Sequence, residues 1–534
     1  MASRLFSTKP LSLLLEEMAG ENRLRRVLGP VQLSALGVGA IIGTGIFILT
    51  GVAAHDRTGP ALMLSFVSAG IACVFAALCY AEFASMVPVA GSAYTYAYAT
   101  LGELFAWIIG WDLVLEYAVG SSTVAHGWSA HFREFIPLLG IHVPKHVSTA
   151  PFDYIVETGK FVLTGSYLDL PAILITFIIT VVLVKGIRES AGFNAVMVAI
   201  KLCIVLLVIG IGVFYINPAN WHPFAPFGYT GVNFFGHTLL GKESPGGEPL
   251  GMFAGAAIIF FAYIGFDSVS VHSEEARKPA RDVPIGIIAS LLICTVLYIA
   301  VSGVLTGMVP THLIDRDAPV VDAFRRAGLV WMQYLVAAGA MTGITSVLLV
   351  MMLSQPRVLL AMGRDGLVPP SFFGAIHPRF RTPWKSTILT GIFVASMAGF
   401  LPLSILAEMT NIGTLFAFVI VCAAVMVMRK TNPDAKRPFR APWVPVVPIL
   451  GILMCLLLMF SLPAGNWYRL IIWLVIGFAI YFSYGRHHSI MARQHHLEHE
   501  IAIHGTGAPA VGDPDSGPSS QAAPIDTTIR NSKG

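Results

Sequence analysis

The chain has 534 residues, of which 55% are hydrophobic and only 12% are charged, and its formal net charge is +4. Soluble domains carry about 25% charged residues, so this composition excludes an ordinary soluble protein and predicts an all-α polytopic membrane protein. The six cysteines lie within apolar runs, at spacings that fit no metal-ligand motif. We expect these thiols to be buried and inert, and we expect neither a metal ion, a cofactor nor a nucleic-acid partner.

Twelve apolar runs of about 20 residues, the length of a membrane-spanning helix, follow one another along the chain. They begin near Val31, Ala61, Leu101, Leu170, Ala195, Met252, Ile285, Tyr334, Ser386, Leu403, Val444 and Tyr468. These runs divide the chain into a cytoplasmic N-terminal segment (1–30), a transmembrane domain (31–485) and a cytoplasmic tail (486–534). The tail becomes polar and rich in Gly, Ser and Pro, so we expect it to be largely disordered.

Lysines and arginines concentrate in alternate loops, and short loops rich in positive charge stay in the cytoplasm. Such charges precede the first span and follow the sixth, eighth and tenth: Arg23, Arg25, Arg26, Arg277, Lys278, Arg281, Arg364, Arg379, Arg381, Lys385, Arg429, Lys430, Lys436, Arg437 and Arg440. The loop after the seventh span is an exception, with three arginines on the opposite side that three aspartates partly offset: Arg316, Arg325, Arg326, Asp315, Asp317 and Asp322. The majority predicts that both termini are cytoplasmic.

The first apolar run contains the segment GAIIGTGIF, in which Gly39, Gly43, Thr44 and Gly45 interrupt an otherwise ordinary membrane-spanning helix. Backbone at membrane depth must satisfy its own hydrogen bonds, so an unwound stretch persists only inside the protein or along a watery cavity. The interruption therefore predicts a binding site within the membrane.

The sixth run, GMFAGAAIIFFAYIGFDSVS, is interrupted in the same way between Phe261 and Gly265. Many secondary transporters contain two inverted repeats whose first helices are both broken. Helices one to five and six to ten then form a 5+5 inverted repeat, and helices eleven and twelve are additions. The alternative is that the glycines only let helices pack closely, but two interruptions that each open one half of the chain disfavour it.

The two interruptions offer complementary polar groups. At the first, the amides of Thr44 and Gly45 lie at the positive N-terminal end of the half-helix that follows, which suits a carboxylate. The freed carbonyls are acceptors suited to an ammonium group, and they belong to Ile41, Phe260, Phe261, Ala262 and Ile264. Donors beside acceptors match an α-amino acid better than a sugar or a lone ion.

Ionisable residues within apolar runs are costly and mark functional paths by default. Lys201 lies deep in the fifth span and is the first candidate for proton coupling; the alternative is a structural lysine paired with first-helix carbonyls or with a carboxylate. Asp112 and Glu116 are four residues apart on one face of the third helix, where Glu116 is the second proton candidate and Asp112 caps a polar patch. Asp267 either takes part in coupling or gating, or pairs with a base or caps the next half-helix.

Eight ordered motifs carry a resemblance to a known family: GAIIGTGIF, YAEFASMVPVAGSAYTY, GWDLVLEY, GIRESAGFNAVMVAIK, FFAYIGFDSVS, EEARKPARDVP, QPRVLLAMGRDGLVP and FRAPWVPVVPILG. Over roughly residues 20 to 485, the chain resembles the cationic amino acid transporter branch of the amino acid-polyamine-organocation (APC) superfamily. That resemblance implies the leucine-transporter-type (LeuT-type) inverted-repeat fold. Bacterial members have twelve helices, as predicted here, which implies a bacterial inner membrane.

The resemblance also implies an amino acid permease that works by alternating access. The implied substrate-binding residues are Ile41, Gly43, Thr44, Gly45, Glu116, Phe261, Ala262, Ile264 and Leu348. Phe261 is also implied as an outer gate, and Lys201 as a fixed cation in place of a bound sodium ion, which leaves H+ as the coupling ion. Some relatives carry a small accessory membrane helix beside the bundle.

The side chain of the substrate is left open by the sequence. Leu348 is apolar, and Glu116 is the one evident carboxylate for a cationic substrate, because an unpaired buried charge is costly. If Glu116 pairs with Lys201, small neutral amino acids fit better. No catalytic motif of an enzyme is present in the sequence, and the remaining alternatives are an amino acid exchanger and an amino acid sensor that does not transport.

Overall fold

A computed structural model describes residues 6–10, 28–87, 92–155, 160–186, 190–234 and 237–491. Its longer α-helices, in chain order, are α1 (Pro30–Ile41), α2 (Leu62–Met86), α3 (Ser92–Thr100), α4 (Glu103–Phe135), α5 (Leu170–Lys185), α6 (Ser190–Gly212), α7 (Met252–Ile259), α8 (Pro279–Met308), α9 (Pro319–Arg326), α10 (Val330–Arg364), α11 (Trp384–Phe400), α12 (Leu403–Thr431), α13 (Val446–Met459) and α14 (Ala464–Ile480).

Within these described residues, 8 helical runs are long and apolar enough to cross a membrane. They are Gly45–Met86, Glu103–Phe135, Val196–Tyr215, Met252–Val271, Pro279–Met308, Val330–Arg364, Leu403–Thr431 and Ala464–His488. Three predicted spans appear as shorter apolar helices: Pro30–Ile41, Leu170–Lys185 and Val446–Met459. The helical, polytopic architecture is confirmed.

The predicted boundary between the first two spans differs from the structure. Helical turns continue from Gly45 to Met86 over 42 residues, through π-helical segments at Gly45–Leu49 and Ala54–Thr58 and a 3-10 turn at Gly59–Ala61. The Gly-Pro pair is accommodated at the start of the 3-10 turn, where a proline needs no amide partner. The chain therefore has no open loop between these two predicted spans.

Helix α4 is the central helix of the bundle. It packs against α10 on one side and α12 on another, while α1 and α2 both pack against α8. The most apolar stretch of α4 is 72% buried, compared with 22% for the run that contains α14. Polar groups on α4 are thus shielded from the bilayer, and α14 is peripheral.

Three two-stranded antiparallel hairpins lie in the connections, so the all-α expectation needs a small correction. Strand β1 (Phe152–Ile155) pairs with β2 (Lys160–Leu163), β3 (Val232–Phe234) with β4 (His237–Leu240), and β5 (Lys242–Glu243) with β6 (Pro249–Leu250). The β-branched and aromatic residues of the first two hairpins suit short strands outside the bundle. We call the end of the bundle that carries these hairpins the hairpin end, and the opposite end the basic end.

The prediction that all cysteines are buried is wrong at one position. Cys73, Cys79, Cys294, Cys422 and Cys455 are buried, but Cys203 is exposed. Helix α6 is peripheral, so an apolar run there does not guarantee burial within the protein.

A buried arginine organises the hairpin end. Arg57 is 1% exposed and donates to the Pro249 carbonyl at 2.7 Å and to Glu248 Oε2 at 3.4 Å. Its Nη2 lies 3.5 Å from Glu408 Oε1, at the start of α12. Tyr154 in β1 donates to the other oxygen of Glu248 at 2.6 Å. One guanidinium thus joins the helix that follows Gly45 to two hairpins and α12.

Removing that guanidinium should be costly. We expect Arg57→Ala to destabilise the protein by about 3–5 kcal/mol, because it leaves Glu248 and Glu408 without their central partner. Arg325→Ala is the matched control: Arg325 is about half exposed, and Asp322 keeps Arg326, so the loss should be about 0–1 kcal/mol. Thermal unfolding in detergent measures both, and equal shifts would refute the expectation.

Carboxylates also organise the basic end. Glu82 at the end of α2 accepts from Arg429 at 3.0 and 2.7 Å and from the Ala441 amide at 2.8 Å. Asp365, just after α10, forms a buried ion pair with Lys9 at 3.0 Å and accepts from Tyr94 at 2.6 Å. The first described segment of the chain is therefore anchored to the end of α10.

Candidate functional site

The first interruption lies directly after α1. The helix ends at Ile41, and Ile42 has extended dihedral angles of φ −73 and ψ 106. Helical turns resume at Thr44 and Gly45, as a π-helical segment. Thr44 is 1% exposed, and its hydroxyl oxygen has no hydrogen-bond partner among the described residues. The buried Thr44 hydroxyl is thus available at the interruption to donate and to accept a hydrogen bond.

The second interruption follows α7. A 3-10 turn over Phe260–Tyr263 leads to Ile264, whose ψ of 134 ends the helical path. Gly265 has φ +116, and a Cβ there would lie 2.9 Å from the Ala40 carbonyl oxygen. Glycine is therefore required both by the dihedral angle and by the close approach to α1. A short helix resumes at Ser268.

The two interruptions contact each other. A Cβ built on Gly45 would lie 2.3 Å from Ala262 Cα and 2.9 Å from Ala262 N. On its other side, the first interruption contacts α10, because a Cβ on Gly43 would lie 2.7 Å from Val347 Cγ2. The site is therefore a junction of two broken helices with α10, at which a side chain on either glycine cannot be accommodated.

Lys201 joins this junction through backbone carbonyls. Its Nζ donates to Gly39 O at 2.5 Å and to Ile42 O at 2.9 Å, and it lies 3.4 Å from Gly343 O on α10. The side chain is 0% exposed. Of the two partners considered from sequence for a structural lysine, first-helix carbonyls are present. Glu116 is not among the hydrogen-bond or ion-pair partners that the structure gives for this lysine.

Tyr298 on α8 is a site residue that sequence reasoning missed. Its hydroxyl lies 2.8 Å from the Ile41 carbonyl oxygen and 2.9 Å from the Ala262 carbonyl oxygen, so it links the two interruptions. These are two of the carbonyls expected to receive a substrate amine. Each carbonyl oxygen has two lone pairs, so each keeps one for a ligand.

We expect Tyr298→Phe to weaken uptake and to lower stability. The change removes the one hydroxyl that can donate to either buried carbonyl, and a buried carbonyl left without its donor costs about 1–3 kcal/mol. Tyr263→Phe is the control, because the Tyr263 hydroxyl donates to Phe66 O in the same region without linking the interruptions. Uptake and thermal unfolding are measured for both variants. Equal uptake by the two would contradict a role for Tyr298 in joining the broken helices.

Three buried carboxyl groups lie beside the junction. Glu116 is 1% exposed, and its Oε1 has no hydrogen-bond partner among the described residues; neither does either oxygen of Asp112. Asp267 accepts from the Tyr117 hydroxyl at 2.6 Å. Glu116 interacts electrostatically with Asp267 and Asp112. The junction therefore has the Lys201 amine at the first interruption and the Asp267 carboxyl group just after the second.

Asp267 directly precedes the short helix Ser268–Val271, and its side chain accepts from the Tyr117 hydroxyl. The alternatives stated from sequence for Asp267 remain predictions. Tyr117 is adjacent to Glu116 in sequence, but a single tyrosine within an apolar helix gave no separate signal.

A family model described as amino acid permease matches residues 28–481. The chain belongs to this family. The permease is 46% identical over 490 residues to the branched-chain amino acid permease BcaP of Bacillus subtilis, which covers 92% of this chain and 99% of that protein. It is 44% identical over 489 residues to the methylthioribose transporter of the same bacterium, with the same coverage.

A plant relative is more distant from the permease. The vacuolar cationic amino acid transporter 4 of Arabidopsis thaliana is 32% identical over 586 residues, which covers 88% of this chain and 94% of that protein. These findings confirm the resemblance stated from the motifs. The permease is an integral membrane protein.

The remaining predicted site residues of the permease are buried. Phe261 is 4% exposed, Ile264 is 2% and Leu348 is 0%. Leu348 lies next to Val347, and it is Val347 that contacts Gly43. The α10 side of the junction is therefore apolar at Val347 and Leu348.

Parts of the predicted regions lie outside the described residues. These are most of the N-terminal segment, residues 88–91 and 187–189 within two of the motifs, and residues 492–534 of the tail. The predictions for those stretches remain predictions.

Proposed function

We propose that this permease is a secondary active amino acid transporter that takes up its substrate across the bacterial cell membrane. Family membership and the two Bacillus relatives, one a permease and the other a transporter, support transport rather than catalysis. The observation that carries the proposal is the junction at which Gly45 meets Ala262, because a buried meeting of two broken helices supplies backbone donors and acceptors in one place.

For the fold, we propose twelve transmembrane helices with a LeuT-type 5+5 inverted repeat. The interruptions after α1 and within Met252–Val271 each begin one repeat. The basic end faces the cytoplasm in this arrangement, because most arginines and lysines between spans lie there. Both termini are then cytoplasmic.

For binding, the Thr44 and Gly45 segment takes the substrate carboxylate, and the second interruption takes the amine. The unpartnered Thr44 hydroxyl supports the first half. The carbonyls of Ile41 and Ala262 support the second half, since the single Tyr298 hydroxyl proton can be donated to one of them at a time and both oxygens have lone pairs left for an ammonium group. Alternating access follows as the two broken helices move relative to α4 and α10.

For the substrate, we propose a neutral amino acid with an apolar side chain. Val347, Leu348 and Phe261 supply the apolar side of the junction. The relative BcaP is named for branched-chain amino acids, whereas an equally similar relative is named for methylthioribose. Methylthioribose lacks both the carboxylate and the amine. Competition assays with a branched-chain amino acid and with methylthioribose therefore show which of the two compounds the permease binds.

For energy coupling, we propose H+ as the coupling ion, with Lys201 as the fixed cation beside the first interruption and Glu116 as the second proton-accepting group. The contacts of Lys201 with Gly39 and Ile42 support this role. One charge crossing a potential of roughly 150 mV releases about 3.5 kcal/mol, which corresponds to about a few-hundred-fold accumulation. That is sufficient for nutrient uptake.

The test is uptake into proteoliposomes with and without an inward proton gradient. We expect labelled leucine to accumulate only with the gradient, and excess leucine or alanine to compete while arginine and methylthioribose do not. Accumulation without a gradient but with preloaded amino acid would indicate an exchanger. Binding without any uptake would indicate a sensor, and competition by methylthioribose alone would overturn the proposed substrate.

A further inference from the structure

One surface at the basic end combines cations that have no carboxylate partner among the described residues with an apolar groove, away from the broken helices; of these cations, Lys385 donates to the Ser371 carbonyl at 3.2 Å. The cations are Lys185 at the end of α5, Arg379 and Arg381 in the loop before α11, and Lys385 in the first turn of α11. No aspartate or glutamate occurs between residues 366 and 407. Among the described residues, these four side chains have no carboxylate partner.

The loop that presents these cations is ordered by its own hydrogen bonds. The His377 ring accepts from the amides of Arg379 and Phe380 at 3.2 Å each, and the His377 amide donates to Thr382 O at 2.8 Å. Arg381 has φ +57, a conformation that costs a side-chain-bearing residue about 1–3 kcal/mol. The loop therefore holds its two arginines exposed at an energetic cost.

The loop is also attached to α5. The Thr382 hydroxyl donates to Val184 O at 2.8 Å, one residue before Lys185. Helices α5 and α11 pack side by side, and Gly391 allows the close approach, since a Cβ there would lie 2.2 Å from Thr180 Oγ1. The cations of the loop and of α5 therefore belong to one end of a tightly packed helix pair.

Directly beyond the cations lies an apolar groove. It has a volume of about 450 Å³ and is lined by Leu389, Ile392, Phe393, Ser396, Met397 and Leu401. Lys385 precedes Leu389 by one helical turn, so its side chain and the groove share one face of α11. Ile392 is 62% exposed, which leaves the groove open to the bilayer.

Aromatic side chains flank the charges at the same level. Lys385 Nζ lies 5.8 Å from the ring centroids of both Phe372 and Trp384, and Arg379 Cζ lies 5.8 Å from that of Phe380. Phe372 and Phe380 are both more than a third exposed. Aromatic rings with adjacent cations are typical of the membrane interface, where lipid headgroups lie.

We infer that this surface binds an anionic phospholipid, with its phosphate at Arg379, Arg381 and Lys385 and an acyl chain in the groove along α11. Unpaired cations at the level of the headgroups recognise anionic lipids. The residues that line the groove extend from Leu389 to Leu401, about 18 Å along the chain at helical rise. This length exceeds the roughly 15 Å hydrocarbon thickness of one leaflet. A neutral apolar helix in the groove would leave the cations unpaired.

Native mass spectrometry of the purified full-length permease tests this inference without any transport measurement. Phosphatidylglycerol, phosphatidylcholine and free glycerol 1-phosphate are titrated in turn. We expect tight binding of phosphatidylglycerol alone. The triple variant R379Q/R381Q/K385Q should weaken it by about 100-fold. If lipid binding is lost while uptake is normal, the proposed function stands and this inference fails. If phosphatidylglycerol binds as expected but no amino acid is taken up, this inference stands and the proposed function fails.

The control is the triple variant K430Q/K436Q/R440Q, which removes three exposed cations from another loop of the basic end. It should bind phosphatidylglycerol as the unmodified chain does. An equal loss in both triple variants would show only a general charge effect and overturn the inference. Equal binding of phosphatidylcholine would overturn the inference too, because it would show that the lipid needs no net negative charge. Competition by glycerol 1-phosphate would also overturn it, because it would show that no acyl chain is needed.

Discussion

Lys201→Ala should abolish proton-driven accumulation, with uptake reduced at least about 100-fold. The side chain is the cation that the carbonyls of Gly39, Ile42 and Gly343 share inside the membrane region. Alanine removes both the charge and the three contacts, and a buried carbonyl without a donor costs about 1–3 kcal/mol. Accumulation of labelled amino acid is measured in proteoliposomes over a range of external pH.

Two comparisons separate coupling from general damage. Exchange of internal for external amino acid at equal pH needs no net proton movement, so Lys201→Ala should retain it to within about tenfold, a difference of about 1.4 kcal/mol. Lys242→Ala, which removes an exposed lysine that donates to the Pro226 carbonyl at the hairpin end, should behave as the unmodified permease. A Lys201→Ala variant whose accumulation still follows external pH would refute the coupling role.

Gly45→Ala should weaken substrate binding, with the Kd raised at least about tenfold. The added Cβ would lie 2.3 Å from Ala262 Cα. Backbone cannot yield as a flexible side chain can, so the two interruptions must separate. The Thr44 and Gly45 amides then move away from the carbonyls at the second interruption. Binding of labelled leucine to purified protein gives the Kd directly.

Gly210→Ala provides the matched control for this substitution. Gly210 lies in α6, and a Cβ there would meet nothing within 4 Å. Both changes replace a glycine in a helical run by alanine, which favours a helix by about 1 kcal/mol. Gly210→Ala should therefore keep normal binding and abundance. Normal binding by a well-expressed Gly45→Ala variant would refute the proposed binding of substrate at the two interruptions.

Local sequence features predicted the interruptions well. Glycines at positions 43, 45 and 265 mark the places where the structure leaves regular α-helix, because close backbone contact and a positive φ each demand them. Lys201 was identifiable for a different reason, since it stands alone in a long apolar run. In both cases one residue type carried the information, without knowledge of its neighbours.

The contacts that join distant segments were not predictable in this way. Tyr298 lies 257 residues from Ile41, and a tyrosine in an apolar helix is equally compatible with packing or with the membrane interface. Arg57 lies buried between Glu248 and Glu408 in the structure, and no motif around it in the sequence indicates these partners. Which residues become partners depends on how the helices pack in three dimensions. The sequence of a single helix does not contain that information.

The ion pair between Lys9 and Asp365 has a consequence for the order in which the permease assembles. The two residues are 356 positions apart, and protein synthesis proceeds at about 5–20 residues per second. Lys9 therefore waits roughly 20–70 seconds for its partner to be synthesised. The segment around Lys9 leaves the ribosome well before α10 does, yet it reaches its final position only after α10 has been made.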